Sequence, residues 1–395
     1  MDLLDIFSYI ISLFQGREGY MNRLWLILAV ALAIARLTNW RDDRLRADGK
    51  EKMERFYTAC LILVLGFFCG LRTWGNDTVT YMQIYDLTPT WDKYLTQIDY
   101  DFSEGIAFSA SVSLLKTFGC TMQDYLMIFA FATIIPYVLF VRRYSVNAVF
   151  GVFLMFATGM YTFTLAAIKQ TMATGICLAG LPMLLDGKKI RYCLMVALAS
   201  LFHPYALIYL VAPFLMFQPW KGKTILMSVI FVGAGFMLDT LIGTVLDITT
   251  AMGAEYTQAE MMGAGVNIFR VMISFVPVGF AVFYGSALFE RADKKVWLMF
   301  NLAMLNALIM FVGLFGTANY FARMANYFLP AQVVVLPWIL YSAHPTDRRW
   351  MLPATIIGYT GYFYYENAII RPFDIGYSHM SFWEYVLDLL QRILT

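Results

Sequence analysis

Apolar runs recur along nearly the whole chain, and the Lys and Arg residues gather at every second interruption between them. The runs fall near 21–36, 56–71, 124–141, 146–164, 171–185, 192–201, 205–217, 224–245, 271–288, 296–315, 327–341 and 351–364. A membrane-crossing helix needs about 20 mostly apolar residues. The pattern therefore predicts an all-α, polytopic transmembrane bundle of about twelve spans, within a range of about ten to twelve. The range comes from the short pair around His203, which fits two helices with polar ends or a re-entrant hairpin. Composition agrees, with 60% hydrophobic and 14% charged residues, against about a quarter charged in soluble proteins.

The basic loops orient the bundle. One set holds Arg41, Arg44, Arg46, Lys50, Lys52 and Arg55, then Arg142 and Arg143, Lys188, Lys189 and Arg191, Lys221 and Lys223, Arg291, Lys294 and Lys295, and Arg348 and Arg349. Cytoplasmic loops carry such an excess, so the alternate ends face outward, and with twelve spans both termini do too. We expect one membrane domain, 1–395, with two long outer segments, 72–123 and 246–270. Amphipathic helices are expected at 3–14, at 105–118 in the first outer loop, and at 381–394 along the outer interface. The N-terminus lacks the basic region of a cleaved signal peptide. A net charge of +2 suggests no nucleic-acid partner. Five cysteines without a CxxC pair, and three dispersed histidines, imply neither a disulfide framework nor a metal site. Cys69 and Cys120 fall on the same outer side.

Few charges fall inside the runs. Asp239 is the main exception, and that scarcity counts against an ion-coupled transporter. The polar groups collect instead at the outer ends: Arg72, Trp74, Asn76, Asp77 and Tyr81 after the second run, and Glu104 later in that loop. Lys169 and Gln170 follow the fourth run, His203 and Tyr205 the sixth, and Asn319, Tyr320, Arg323 and Tyr327 the tenth. Cations suit a phosphate or diphosphate, aromatic faces suit sugar rings, and a carboxylate or neutral histidine can take a proton from a hydroxyl. Simpler roles exist: Arg72 as a snorkelling residue, Asn76 as a turn residue, and the aromatics as an interfacial belt. Lys169 at a helix start opposes the dipole and needs a compensating contact.

These residues resemble the EpsG family, a branch of the Wzy-like polymerases of bacterial surface polysaccharides. Arg72, Gly75, Asp77 and Tyr81 fit its Arg, then Gly-x-Asp-x-x-x-Tyr. Lys169-Gln170-Thr171-Met172-Ala173 stands for Arg-Gln-x-x-Ala, and Ala199, Phe202, His203 and Ala206 fit Ala-x-x-Phe-His-x-Ser-Ala. Arg323 with Tyr327 and Phe328 fits a late Arg followed by Tyr-Phe. Lys169 departs by keeping charge without a bidentate fork, and Tyr205 replaces a small polar residue.

The resemblance implies polymerisation of undecaprenyl-diphosphate-linked oligosaccharide repeat units into O-antigen, capsule or exopolysaccharide. It places this chemistry at the non-cytoplasmic face of a bacterial cytoplasmic membrane, without metal, cofactor or nucleotide sugar. A chain-length regulator and a flippase are the implied partners beside the lipid bilayer. Arg72, Lys169 and Arg323 would hold the diphosphate. Asp77 or His203 would act as base, with Glu104 in reserve, and an Asp77–His203 hydrogen bond would unite the two. Trp74, Asn76, Tyr81, Gln170, Tyr205, Asn319, Tyr320 and Tyr327 would bind sugar or support the site. A flippase or a polysaccharide ligase would share this setting; the acceptor used in vitro separates ligase from polymerase.

Overall fold

The computed structural model describes residues 16–38, 51–97, 105–251, 257, 260, 264–376 and 382–394. Among them the chain is helical, with no β-strand. In order the α-helices are α1 (Gly16–Thr38), α2 (Glu51–Gly70), α3 (Thr78–Leu87), α4 (Trp91–Gln97), α5 (Ile106–Thr117), α6 (Met122–Tyr144), α7 (Ala148–Ala157), α8 (Met160–Thr164), α9 (Ile168–Leu185) and α10 (Lys189–Ser200). A 3-10 helix (Pro204–Leu215) follows. Then come α11 (Gly222–Phe236), α12 (Leu238–Ala251), α13 (Ile268–Tyr284), α14 (Ala287–Glu290), α15 (Lys294–Val312), α16 (Ala318–Asn326), α17 (Leu329–Ser342) and α18 (Pro345–Tyr364). A π-helical turn (Tyr365–Ile370) and α19 (Phe382–Leu394) end the chain.

Each of the twelve apolar runs holds a helix, but the count of about twelve spans is not confirmed. Five described helices, α1, α2, α6, α9 and α15, are long and apolar enough to cross a membrane. The number rises to seven if the bent pairs α11–α12 and α16–α17 each make one span. The run 146–164 breaks after Ala157, where Gly159 adopts φ 81°. The run 224–245 bends by 101° between α11 and α12, beside Asp239. At the pair around His203, α10 and the 3-10 helix have 12 residues each. They extend about 18 and 24 Å, short of a hydrocarbon core of about 30 Å.

Two helices form the centre. In α7, Val152, Leu154, Met155 and Phe156 are fully buried. This helix packs on α1, α17 and α18; being apolar all round, it is buried all round. In α15, 15 of 19 residues are buried, against α11, α13, α16 and α17. The outer helices turn apolar faces outward: Ile225, Leu226, Val229 and Ile230 of α11 are each more than half exposed, as expected where lipid is the solvent.

In lipid, backbone groups must find partners inside the protein, and buried amides meet that demand here. Pro277 lies within α13 and has no N–H to offer the carbonyl of Ile273 one turn earlier. Gln332 Nε2 donates to that carbonyl at 2.7 Å and Tyr359 Oη at 3.2 Å. Asn301 Nδ2 donates to the carbonyls of Leu215 and Phe217, each at 2.8 Å, where the 3-10 helix ends.

The amphipathic stretch 105–118 forms α5, as expected. The helix expected at 3–14 lies outside the described residues, as do several positions of the second long outer segment. At the C-terminus, α19 docks on the start of α6: Arg392 Nη1 and Nη2 donate to the two Asp124 oxygens at 2.6 and 3.1 Å, and Tyr385 Oη donates at 2.7 Å. Asp124 also closes a capping box with Thr121. All five cysteines are free, so Cys69 and Cys120 form no disulfide.

Two outcomes follow. Gln332→Leu leaves the Ile273 carbonyl with one partner instead of two. It should cost about 1–3 kcal/mol, read as a lower unfolding midpoint in detergent; an unchanged midpoint would contradict the assignment. Asp124→Ala should raise the rate of protease cleavage near α19 by about tenfold through local opening, and an unaltered digestion rate would show that the contact does not hold this helix.

Candidate functional site

The helix that ought to run on from α16 into α17 is broken, with a bend of 55° at Tyr327 and Phe328. Pro330 sits at the start of α17 and can donate no backbone bond. Side chains from three other elements take the carbonyls of the break. Gln170 Nε2 donates to Arg323 O at 2.6 Å, Asn306 Nδ2 to Ala325 O at 2.7 Å, and Tyr209 Oη to Tyr327 O at 2.5 Å. The Tyr327 hydroxyl lies 2.6 Å from His203 Nδ1. Gln170 and Tyr327 are therefore supports, and what they fix in place is the helix carrying Arg323.

Arg323 lines a cavity of about 230 Å³ together with Asn76, Asp77, Arg270, Glu366 and Arg371. This size, at or below the lower end of ligand cavities (about 300–1,000 Å³), suits a charged head group rather than a whole oligosaccharide. On α2, α13, α15 and α18 the cavity lies at the end away from the Lys/Arg cluster.

Three arginines face two carboxylates there. Arg270 and Glu366 form a two-point ion pair, with both side chains 14% exposed. Among the described residues, Arg323, Arg371 and Asp77 make no side-chain hydrogen bond or ion pair. Burial, together with the neighbouring Arg270, lowers the Arg371 pKa, and Arg323 adds to that effect. Three cations against two anions leave one net positive charge. The cavity can thus take an anion on Arg323 and Arg371 while Asp77 remains free to accept a proton.

The loop bearing Asp77 is held by the chain's far end. Thr73 N donates to Gly376 O at 2.9 Å and Gly376 N to Trp74 O at 3.1 Å. Gly75 adopts φ 101°, and a Cβ there would come within 2.4 Å of Asp374 O. Asn76 has φ 45°, a left-handed conformation that Asn tolerates, so its turn role is real although it also lines the cavity. Asp77 is the N-cap residue of α3 yet makes no side-chain cap bond.

The remaining candidates surround the cavity. Arg72 is 1% exposed. Its Nη1 donates to Cys69 O and, at 3.3 Å, to Cys69 Sγ, while Nε donates to Thr78 Oγ1 at 3.1 Å. It closes the C-terminal end of α2 and ties it to α3. Lys169 Nζ lies 5.1 Å over the Phe108 ring, a cation–π contact that answers its unfavourable place at a helix start. Tyr81 Oη accepts from Lys169 N at 3.4 Å.

His203 occupies the turn after α10 and does not line the cavity. Burial, then Lys169 and Arg323, depress its pKa to about 3, and among the described residues no hydrogen bond joins it to Asp77. Tyr205 lies between His203 and Tyr320, with ring centroids 5.4 and 5.9 Å away. Trp74 is 49% exposed outside the cavity. Asn319 belongs to α16. Glu104 lies outside the described residues.

Sequence reasoning missed Arg270, Glu366 and Arg371. The available signal was a Glu and an Arg five residues apart, just beyond the last apolar run and on the outer side.

Substituting Gly75→Ala should disable the site by displacing the 374–376 segment, while the helical content by circular dichroism stays unchanged. Full activity in that variant would show that this contact does not hold Asp77.

Comparison with known proteins places the site in context. No curated protein and no solved structure matches the chain. The family model described as the EpsG family matches residues 55–386, a stretch that includes every described residue of the cavity. The chain belongs to the EpsG family, whose members are Wzy-like polysaccharide polymerases.

Proposed function

We propose that this protein extends a bacterial surface polysaccharide by moving a growing glycan from an undecaprenyl-diphosphate donor to a hydroxyl of a lipid-linked repeat unit. The observation that carries this reading is the cavity in which two arginines and one carboxylate, unpaired among the described residues, meet. Family membership supports the reaction class, and the Lys/Arg pattern supports a cavity facing the non-cytoplasmic side of the cytoplasmic membrane.

In the proposed step the acceptor oxygen attacks the anomeric carbon of the donor sugar, and the bond from that carbon to the diphosphate oxygen breaks. The electron pair leaves with the diphosphate, and Arg323 and Arg371 hold the charge that develops. The hydroxyl proton passes to Asp77. A single displacement inverts the anomeric centre. Guanidinium forks match phosphate oxygens in two-point geometry, and donors placed before the reaction stabilise charge without reorganising. Arg270, neutralised by Glu366, shapes the wall. Arg72 and Lys169 position α3 and α9 around the site, and Trp74 offers an exposed face for a sugar ring.

His203 suits support better than base catalysis. Its ring does not line the cavity, its Nδ1 lies 2.6 Å from the Tyr327 hydroxyl, and its pKa is depressed to about 3. Its folded-state pKa lies below the usual value, so it stays neutral from pH 6 to 8 and adds no inflection to the rate profile there.

The test is reconstitution with one defined undecaprenyl-diphosphate repeat unit, products being resolved on a gel. Wild-type protein should yield a ladder of increasing length. Arg323→Ala and Arg371→Ala should each slow its formation by about 10²–10³-fold, and Asp77→Asn by a comparable factor with donor binding retained. A wild-type ladder from Arg371→Ala would remove that residue from the mechanism, and movement of intact substrate across the vesicle without a ladder would replace polymerase by transporter. His203→Gln should lose less than Asp77→Asn and leave the pH 6–8 profile unchanged; a shifted profile would return His203 to the role of base.

A further inference from the structure

A second cavity, of about 760 Å³, opens at the Lys/Arg-rich end of the bundle. We propose that it binds an anionic phospholipid, with the phosphate at Arg291 and an acyl chain along the apolar wall. The site goes beyond the polymerase reading, and it uses the Lys/Arg orientation only to name the cytoplasmic leaflet as the source of the lipid.

The volume lies within the range of small-molecule cavities, about 300–1,000 Å³, and is more than three times that of the outer cavity. Arg270 begins α13 and Arg291 lies beyond its end. The 17 residues of α13 separate the two cavities by about 25 Å, so the second takes no direct part in glycosyl transfer.

Its lining divides by chemistry. Val296 and Met299 of α15 with Val334 and Trp338 of α17 form an apolar wall. Arg291 and Lys295 stand at the mouth. Lys295 Nζ is engaged by Asp293 at 2.6 Å, whereas Arg291 is exposed and has no ion pair among the described residues. With Lys295 occupied by Asp293, Arg291 is the cation left to meet the single phosphate of a phosphodiester. Basic pockets between helices on the cytoplasmic side hold anionic head groups in this way.

A buried hydroxyl points the same way. Tyr144 lines the cavity at 7% exposure, and the Arg143 guanidinium lies against its ring. A phosphate or glycerol oxygen of the lipid could accept from this hydroxyl.

Native mass spectrometry of the full-length protein with equal amounts of phosphatidylglycerol and phosphatidylethanolamine tests the proposal. Wild-type protein should retain phosphatidylglycerol about tenfold over phosphatidylethanolamine, a difference of about 1.4 kcal/mol. Arg291→Gln should bring the ratio near parity, and Arg291→Lys should keep most of it. The preference of wild-type protein should also fall as ionic strength rises, which decides the matter should Arg291→Gln not fold. Equal retention of the two lipids by wild-type protein would overturn the proposal. So would an unchanged preference in Arg291→Gln, or a preference indifferent to salt.

Discussion

A helix interrupted inside an apolar medium leaves carbonyl groups that water cannot reach, and the α16–α17 break depends on side chains that take them. Gln170, Asn306 and Tyr209 come from α9, α15 and the 3-10 helix, and each donates to a different carbonyl of the break. Losing Asn306 leaves Ala325 O with Phe328 N as its donor, and losing Gln170 or Tyr209 takes the side-chain donor from its carbonyl, at a cost of about 1–3 kcal/mol. These donors hold the α16–α17 junction and, with it, the backbone position of Arg323. His203 joins the set through the Tyr327 hydroxyl, which explains why a histidine lies in a tight turn without facing the cavity.

The electrostatics of the cavity follow from what is left unpaired. A half-buried ion pair is held largely by geometry, because desolvation offsets part of its attraction. Arg270 and Glu366 form such a pair, and they fix the π-helical turn against α13. Among the described residues Arg323 and Arg371 have no ion pair, and Arg323 adds to the lowering of the Arg371 pKa. Asp77 favours the charged form of Arg371 without bonding to it: Gly75 and the 374–376 segment hold its backbone, and among the described residues its side chain makes no bond. An anion-binding pair beside a free carboxylate is what departure of a diphosphate with concurrent deprotonation of a hydroxyl requires.

Each apolar run holds a helix, because burial in protein and burial in lipid select the same residues. For that reason the runs could not give the number of spans. The residues of α7 are apolar all round, yet the helix ends after ten residues at a glycine turn. The segment 205–217 reads as a span and folds as a 3-10 helix too short for one. Asp77, Asn76 and Arg323 were legible as outer-end polar residues that meet at the cavity. Arg72 was legible as a cation but not as one turned back on Cys69, since a contact three residues away depends on a rotamer. Arg371 was hidden because the chain after the last run folds back onto the 72–77 loop, a long-range pairing that no local pattern encodes.

The central claim is that the cavity beside the broken helix is where a diphosphate sits. Electron cryo-microscopy of the protein in nanodiscs with undecaprenyl diphosphate tests it most directly. The account predicts density for the two phosphates between Arg323 and Arg371, within hydrogen-bond distance of both guanidinium groups and with Asp77 open toward the acceptor side. Phosphate density at Arg72 and Lys169 instead, with Arg371 unengaged, would contradict it.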